Sequence, residues 1–320
     1  MDKRIILDFG ERSFFAPFSM LMIASKILAM RKANPDLRVD VRDYRNFIYP
    51  AHVGFFDMLG WDYGRRVGEA WGSENYLPIT RISRSVLEES PGDRFYEVQD
   101  LIERHAERIA VVMARDVEAH RNLGNALAFS VREVMRNVFE HSKCDHLYYA
   151  AQHWPKSNKV EFAIIDYGIG VRRGLYQNPN FRTQSNKEAI EWSLLPSVSG
   201  TTHINDRTGR WSNSGYGLYM TSRLARNGGN FVLVSGDQAV HLGPTSKSNY
   251  TTSFPGTALR FNLSVERIGD VEARLREFRE DGARIAKHVN GSGNRPPSAM
   301  STILRRDFSQ FSSHGGRGSD

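Results

Sequence analysis

The sequence predicts an α+β protein in which helices cover one face of a mixed β-sheet. Three observations lead to this fold class. A long helical stretch over 93–142 precedes a series of short apolar runs with the composition of strands. Further helices are interspersed among those runs, so strands and helices do not alternate regularly. The first 60 residues, by contrast, do alternate, which predicts a separate small α/β domain ahead of the sandwich.

The N-terminal region, residues 1–90, carries this alternating pattern. Its predicted elements are a strand at 4–9, an apolar helix at 16–30, a strand at 37–43, a short helix near 52–59 and a candidate strand at 76–83. Asn34-Pro35 is a typical end signal for the first helix, and Gly60 ends the second. We therefore treat this region as one α/β domain.

Residues 91–119 are predicted to be a connecting helix that leads into a second domain over 120–265. Gly92-Asp93 is a start signal, and Gly124 predicts a break between two helices. The second helix ends near Ser142 and repeats apolar residues close to the 3.6-residue period, at Leu123, Leu127, Val131, Val134, Met135, Val138 and Phe139.

The rest of the second domain supplies the sheet. Two runs, 146–154 and 160–166, are separated by a turn and predict an antiparallel hairpin. Further strands are predicted at 231–236, 239–243 and 257–265, and helices near 187–195 and 216–226. Residues 266–289 predict an amphipathic helix that packs either on its own domain or on a partner. The Gly-, Ser-, Pro- and Arg-rich tail, 290–320, is expected to be mobile.

Composition narrows the function classes. With 40% hydrophobic and 25% charged residues in 320, the chain is typical of globular proteins. No run approaches the roughly 20 apolar residues that cross a bilayer, and the first residues lack the apolar core of a secretory signal. A single cysteine, Cys144, suits a reducing compartment, so we expect a cytoplasmic protein without a membrane partner. A net charge of +7 with no basic, aromatic-rich helix face argues against a nucleic-acid function.

The first candidate site motif is a row of polar residues on the second long helix. Glu133, Asn137 and His141 follow one another at intervals of four and so lie on one stripe. A neutral amide oxygen can bind Mg²⁺, and a carboxylate can orient or deprotonate a water. The same spacing is also common on an ordinary solvated helix face.

The second motif is Asp166-Tyr167-Gly168-Ile169-Gly170, which ends the apolar run 160–166. A carboxylate at the end of a core strand needs a partner, and the exocyclic amine of adenine would be one. The two glycines would let the backbone lie against a flat base or turn sharply. Taken alone, this motif is also typical of a simple turn.

The third motif, Asn213-Ser214-Gly215-Tyr216-Gly217, opens the helix predicted from 216. Free N–H groups at a helix start favour anions such as phosphates. The fourth motif is Gly256-Thr257 at the beginning of a strand, where Thr257 could hold a water against Asp166. Neither motif is specific by itself.

In this order the four motifs resemble the nucleotide-binding domain of the GHKL superfamily, which includes gyrase B, histidine kinases and mismatch-repair ATPases. They correspond to its N box, first glycine box, second glycine box and G-T motif, over about 120–265. The resemblance implies an α/β sandwich that binds ATP and Mg²⁺, with 171–214 in the place of the ATP lid.

The resemblance also implies a role for each matching residue. Asn137 would bind Mg²⁺, and Glu133 would be the general base for water. Asp166 would bind the adenine amine, with Thr257 supporting it through a water. The implied pocket and phosphate contacts come from Gly168, Gly170, Asn213, Gly215 and Gly217.

Two family features lack a clear counterpart. No lysine matches the one that gyrase-like ATPases bring from a following domain, which leaves Arg207, Arg210 and Lys247 as candidate cations for the γ-phosphate. No histidine-bearing dimerisation helix is evident, because His105 and His120 lack the surrounding motif. Phosphorylation on histidine is therefore disfavoured.

The first 90 residues show a weaker likeness to STAS-like domains, in which a strand leads to an often phosphorylated Ser or Thr at a helix start. Ser19 is the nearest hydroxyl, but Ala-Pro-Phe-Ser-Met replaces the usual motif. The alternative role for Ser19 is a buried helix hydroxyl.

Three hypotheses about function follow. The first is an ATP- and Mg²⁺-dependent switch with slow ATP hydrolysis that acts on a protein partner or within a homodimer. The second is a protein serine kinase of the anti-sigma-factor type. The third is a non-catalytic interaction module gated by ATP.

Overall fold

The computed structural model describes residues 4–10, 15–83, 94–114, 121–201, 215–267 and 269–289, and they form an α+β fold. The strands are β1 Arg4–Asp8, β2 Arg38–Arg42, β3 Tyr76–Ser83, β4 His146–Trp154, β5 Lys159–Asp166, β6 Gly229–Leu242 and β7 Lys247–Ser264. The helices are α1 Pro17–Ala33, α2 Ile48–His52, α3 Phe55–Met58, α4 Arg94–Ala114, α5 Arg121–His141, α6 Gly170–Leu175, α7 Asn186–Ser193, α8 Gly217–Gly228 and α9 Val271–Ala286. The predicted fold class is thus confirmed at this level.

The main sheet has the strand order β3-β4-β5-β7-β6, and every neighbouring pair in it is antiparallel. The predicted hairpin of β4 and β5 is confirmed, with Ala150 opposite Ala163. The prediction of a mixed sheet is wrong, because all four strand pairs are antiparallel, and two of them, β4–β5 and β6–β7, are hairpins joined by short turns. The two strands predicted at 231–236 and 239–243 are one continuous strand, β6.

Helices cover both faces of this sheet, whereas one covered face was predicted. Phe162 and Ile164 of β5 point into a core formed with α4, α5, α8 and α9. Ala163 and Ile165, which alternate with them, point into a second core with α1. Five of the six residues from Val160 to Ile165 in β5 are apolar and all six are buried, which is the pattern of a strand covered on both sides.

The N-terminal segment forms this second cover. β1 and β2 pair in parallel as a separate two-stranded sheet, with Ile5 opposite Val39, and α1 connects them. α1 buries Met20, Leu21 and Ala24 completely or nearly so. The strand predicted at 76–83 exists, but it pairs with β4 at the edge of the main sheet.

Two long helices, α4 and α5, pack together on the first face of the sheet. The predicted break at Gly124 is wrong, because Gly124 lies inside α5. A side chain there would make only an ordinary contact of 3.6 Å with Cβ of Ala114, so neither the helix nor its packing requires glycine at this position. α4 ends at Ala114 and α5 begins at Arg121.

The C-terminal helix α9 confirms the amphipathic pattern over 271–286 and packs on its own domain. Leu275 and Phe278 belong to the first core, and Gly282 lies against the rings of Tyr216 and Tyr219. The predicted mobile tail, 290–320, lies outside the described residues. Within the described ranges, no helix is long and apolar enough to cross a membrane.

Candidate functional site

An open cleft lies between α5, the ends of β5 and β7, and the segments around α6 and 198–200. The empty space between its walls is about 810 Å³ when the part that is open to solvent is included. Apolar side chains form most of the lining, including Val134, Val138, Ile164, Leu218, Leu233 and Leu259. Polar groups are concentrated at Asp166 and Thr257, and at Asn137 and His141.

The structure brings most of the sequence-predicted residues to this cleft. Those that line it are Asn137, Asp166, Gly170, Gly215, Gly217 and Thr257. Two others, Glu133 and Gly168, lie directly behind its walls. Asn213 lies outside the described residues, as do the candidate cations Arg207 and Arg210.

Asp166 is the buried carboxylate of the cleft and only 1% exposed. Its Oδ1 accepts the backbone N–H of Gly168 at 2.7 Å. Thr257, directly opposite on β7, also hydrogen-bonds to it through both its hydroxyl and its backbone. Burial outweighs these bonds and raises the pKa of Asp166 to about 6. A buried carboxylate of this kind is stabilised by a ligand that supplies one more hydrogen-bond donor.

Gly168 faces the helix rather than the cleft, which differs from the expected pocket role. A side chain on it would lie 2.1 Å from the carbonyl oxygen of Ser142, directly after α5. That same oxygen accepts the N–H of Ile169 at 2.7 Å. The missing side chain therefore lets the end of α5 dock on the turn after β5, which holds the row of polar residues on α5 beside Asp166.

Gly170 begins α6 and is held by a buried serine that sequence analysis missed. Ser235 of β6 accepts the N–H of Val171 at 2.9 Å and donates to the carbonyl of Gly256 at 3.1 Å. Gly170 has φ +77°, and a side chain there would meet the Ser235 hydroxyl at 2.8 Å. Ser235 thus connects α6 to the strand pair that carries Asp166 and Thr257.

Glu133 lies beneath the first turn of α8 and is only 2% exposed. Its Oε2 would be 2.8 Å from a side-chain carbon on Gly217, so only glycine fits there. Its Oε1 lies 3.4 Å from Nη1 of Arg136 and makes no hydrogen bond with the described part of the chain. The carboxylate is therefore close to the cleft but behind Gly217 in this conformation.

Asn137 and His141 face the cleft one and two turns further along α5. Nε2 of His141 lies 3.3 Å from the hydroxyl of Ser199, on the opposite wall. Burial, with a smaller effect of Arg136, lowers the pKa of His141 to about 4, so the ring is neutral at physiological pH. Its Nδ1 has no hydrogen-bond partner among the described residues, which leaves a buried polar atom for a ligand or water.

The start of α8 forms part of the cleft wall, where Gly215 and Gly217 line it. The helix begins at Gly217, and Tyr216 at its N-cap position makes no side-chain capping hydrogen bond. Gly215 just before it has φ +72°, and a side chain there would collide with the backbone of Ser197 at 2.7 Å. An uncapped helix start with glycines in contact range favours a bound anion.

Lys247 does not line the cleft. It stands on the β6–β7 hairpin and pairs with Glu191 of α7, with 2.5 Å between Nζ and Oε1. Among the described residues, no group of three or more His, Cys, Asp or Glu side chains is arranged to hold a metal ion. A metal here would therefore depend on Asn137, water and ligand oxygens.

Some site residues carried no signal in the sequence. Ser199 and Ser235 belong to no motif, and their roles depend on contacts between distant segments. A comparison with models of known protein families finds no match to this chain, and neither does a comparison with curated protein sequences.

Proposed function

We propose that this chain is an ATP- and Mg²⁺-binding switch of the GHKL type that hydrolyses ATP slowly. One observation supports it above all: a buried carboxylate, Asp166, and an uncapped helix start at Gly217 line the same apolar cleft. Such a cleft suits a ligand that has an amine-bearing flat ring at one end and phosphates at the other.

The base would lie between apolar walls that include Val138, Ile164 and Leu259. Its amine would donate to Asp166, whose remaining acceptor capacity is not met by Gly168 and Thr257 alone. Burial of this carboxylate is unfavourable without a further donor, so the ligand would recover part of that cost.

The phosphates would lie at the start of α8 between Gly215 and Gly217, close to Asn137. Asn137 would offer one neutral oxygen to Mg²⁺, which takes its other ligands from water and phosphate oxygens. When bound, the metal would neutralise phosphate charge.

Hydrolysis would depend on Glu133. Its carboxylate is buried behind Gly217, within reach of the space where the last phosphate would lie. A water there would be oriented or deprotonated by Glu133. Turnover would be slow, because α8 must shift slightly for water to reach this group.

Calorimetry with a non-hydrolysable ATP analogue and Mg²⁺ tests binding. We expect association with the wild type and its loss in Asp166→Asn. Asp237→Asn is the matched control, because Asp237 is exposed on β6 and its carboxylate accepts a hydrogen bond from the side chain of Asn186. No heat of association for the wild type would overturn the proposal.

Two alternatives compete with hydrolysis. The first is a binding module without turnover, which the buried position of Glu133 favours. Release of phosphate from ATP by the wild type would distinguish hydrolysis from binding alone.

The second alternative is a serine kinase. Ser19 is exposed, in contrast to the buried hydroxyl considered above, but it lies on α1, which covers the opposite face of the sheet from α5. Mass spectrometry after incubation with ATP would detect a phosphoserine in 1–90.

A further inference from the structure

A hydrogen bond joins α1 to the end of the strand that carries Asp166. Tyr167, the next residue, donates its hydroxyl to Oγ of Ser25 at 2.9 Å. Ser25 donates its own proton to the carbonyl of Leu21 at 2.6 Å, so its oxygen is the acceptor for Tyr167. Ser25 is fully buried. Water is therefore excluded from the Ser25 end of the bond, and the bond constrains the tyrosine.

The ring of Tyr167 is constrained as well. It stacks on Phe254 of β7, with ring centroids 6.3 Å apart and planes 21° from parallel. Two residues later, Gly256 approaches so closely that a side chain would lie 2.1 Å from the carbonyl oxygen of Asp166. Tyr167 is thus packed against the same two strands that hold Asp166 and Thr257.

α1 is attached to β5 at a second point. The N–H of Phe18 in its first turn donates to Oε1 of Glu161 at 3.0 Å, and this glutamate is 3% exposed. Glu161 stands five residues before Asp166 on the same strand. Movement of α1 would therefore be transmitted at both points, to β5 through Glu161 and to the residue next to Asp166 through Tyr167.

We propose that Ser25 and Tyr167 are positioning residues for the base-binding end of the cleft, through which α1 controls the affinity for nucleotide. The inference rests on the proposed ATP function. Tyr167 lies between Asp166 and Gly168, whose N–H holds Oδ1 of Asp166. Releasing the Tyr167 hydroxyl lets this turn rotate, so the carboxylate leaves the orientation in which it meets an amine.

The coupling is reciprocal by thermodynamic necessity. A nucleotide that fixes the turn after β5 also strengthens the docking of α1 on the back of the sheet. The N-terminal segment thereby senses occupancy of a cleft that it does not line. A partner that pulls α1 away would release nucleotide.

The test compares Ser25→Ala, Tyr167→Phe and the double variant with a matched control, Tyr149→Phe. Tyr149 is a fully buried tyrosine whose hydroxyl contacts Nδ1 of His105 at 2.7 Å on the other face of the sheet. Ser25→Ala and Tyr167→Phe both remove the bond between the two hydroxyls, Ser25→Ala also removes the bond to the carbonyl of Leu21 within α1, and no substitution removes a ring. We expect Ser25→Ala and Tyr167→Phe each to weaken binding of the ATP analogue about fivefold, the effect of one lost hydrogen bond of about 1 kcal/mol.

The double variant should bind no more weakly than either single variant, because both remove the same bond. Tyr149→Phe should lower the melting temperature comparably but leave the affinity unchanged. In the wild type, the ATP analogue should slow amide exchange in α1, a measurement that needs no variant. Equal affinities across all variants, with no change in amide exchange of α1, would contradict the positioning role of Ser25 and Tyr167 but leave the proposed ATP function intact. A wild type that does not bind the analogue would instead overturn the proposed function.

Discussion

Asp166 and Thr257 face each other across β5 and β7, and the threonine hydroxyl donates directly to the aspartate. This direct bond differs from the water-mediated support that the sequence resemblance implied. Together with the N–H of Gly168, it orients the buried carboxylate toward the cleft.

Asp166→Asn should raise the stability of the free protein. The folded state raises the pKa of Asp166 from 3.8 to about 6. The folded form therefore binds the proton more tightly, and the contribution of this group to stability is lost as pH rises through about 6. At pH 7.5 the charge costs at most about 3 kcal/mol, which a neutral amide avoids. Thermal unfolding should show the variant more stable at pH 7.5 and equal to the wild type near pH 4.

The affinity of the wild type for nucleotide should decrease as the pH is lowered from 7 to 5. Only the ionised carboxylate has both oxygens free to accept, so protonation below about 6 removes the acceptor for the amine. At pH 5 the dissociation constant should be roughly tenfold higher than at pH 7. The Asp237→Asn control should show the same decrease in calorimetry. An affinity that is constant between pH 7 and pH 5 would remove Asp166 from the base contact.

Two glycine substitutions should have opposite effects. In Gly168→Ala the new carbon would lie 2.1 Å from the carbonyl oxygen of Ser142, so α5 or the turn must move. We expect a loss of more than about 1 kcal/mol in the free energy of unfolding and a loss of nucleotide binding. Gly124→Ala meets only an ordinary contact inside α5 and should gain about 1 kcal/mol. Denaturant unfolding measures both, and a neutral Gly168→Ala would refute the docking of α5 on this turn.

Glu133→Gln should bind ATP but lose turnover. The amide keeps the shape that packs under Gly217, so α8 remains in place, while the base is gone. Phosphate release should fall by at least about 100-fold, the scale of a lost general base. Arg132→Gln serves as the control, since Arg132 is on the same helix but pairs with Glu103. Normal hydrolysis by Glu133→Gln would assign the base to another residue.

Local spacing predicted much of the cleft. Asn137 and His141 share a helix stripe because they are four apart, and both reach the cleft. Asp166 ends one predicted strand and Thr257 begins another, and these two runs lie side by side in β5 and β7. Such relations depend on helical and strand periods, which the sequence contains.

Contacts between distant segments were not predictable in the same way. Gly168 looked like a ligand-facing glycine, but the carbonyl of Ser142 determines its identity. Ser25 and Ser235 had no motif, because the contact that connects each hydroxyl to the cleft is with a residue more than 60 positions away. The second covered face of the sheet also depended on such contacts, since a strand apolar on both sides does not show what will pack on it.

The central claim is that Asn137, Asp166 and the start of α8 surround one nucleotide. A crystal structure with a non-hydrolysable ATP analogue and Mg²⁺ tests it most directly. The account predicts the adenine amine within hydrogen-bond distance of Asp166, the phosphates at Gly215 and Gly217, and Mg²⁺ at Asn137. A nucleotide bound elsewhere on the protein, with this cleft filled only by water, would contradict it.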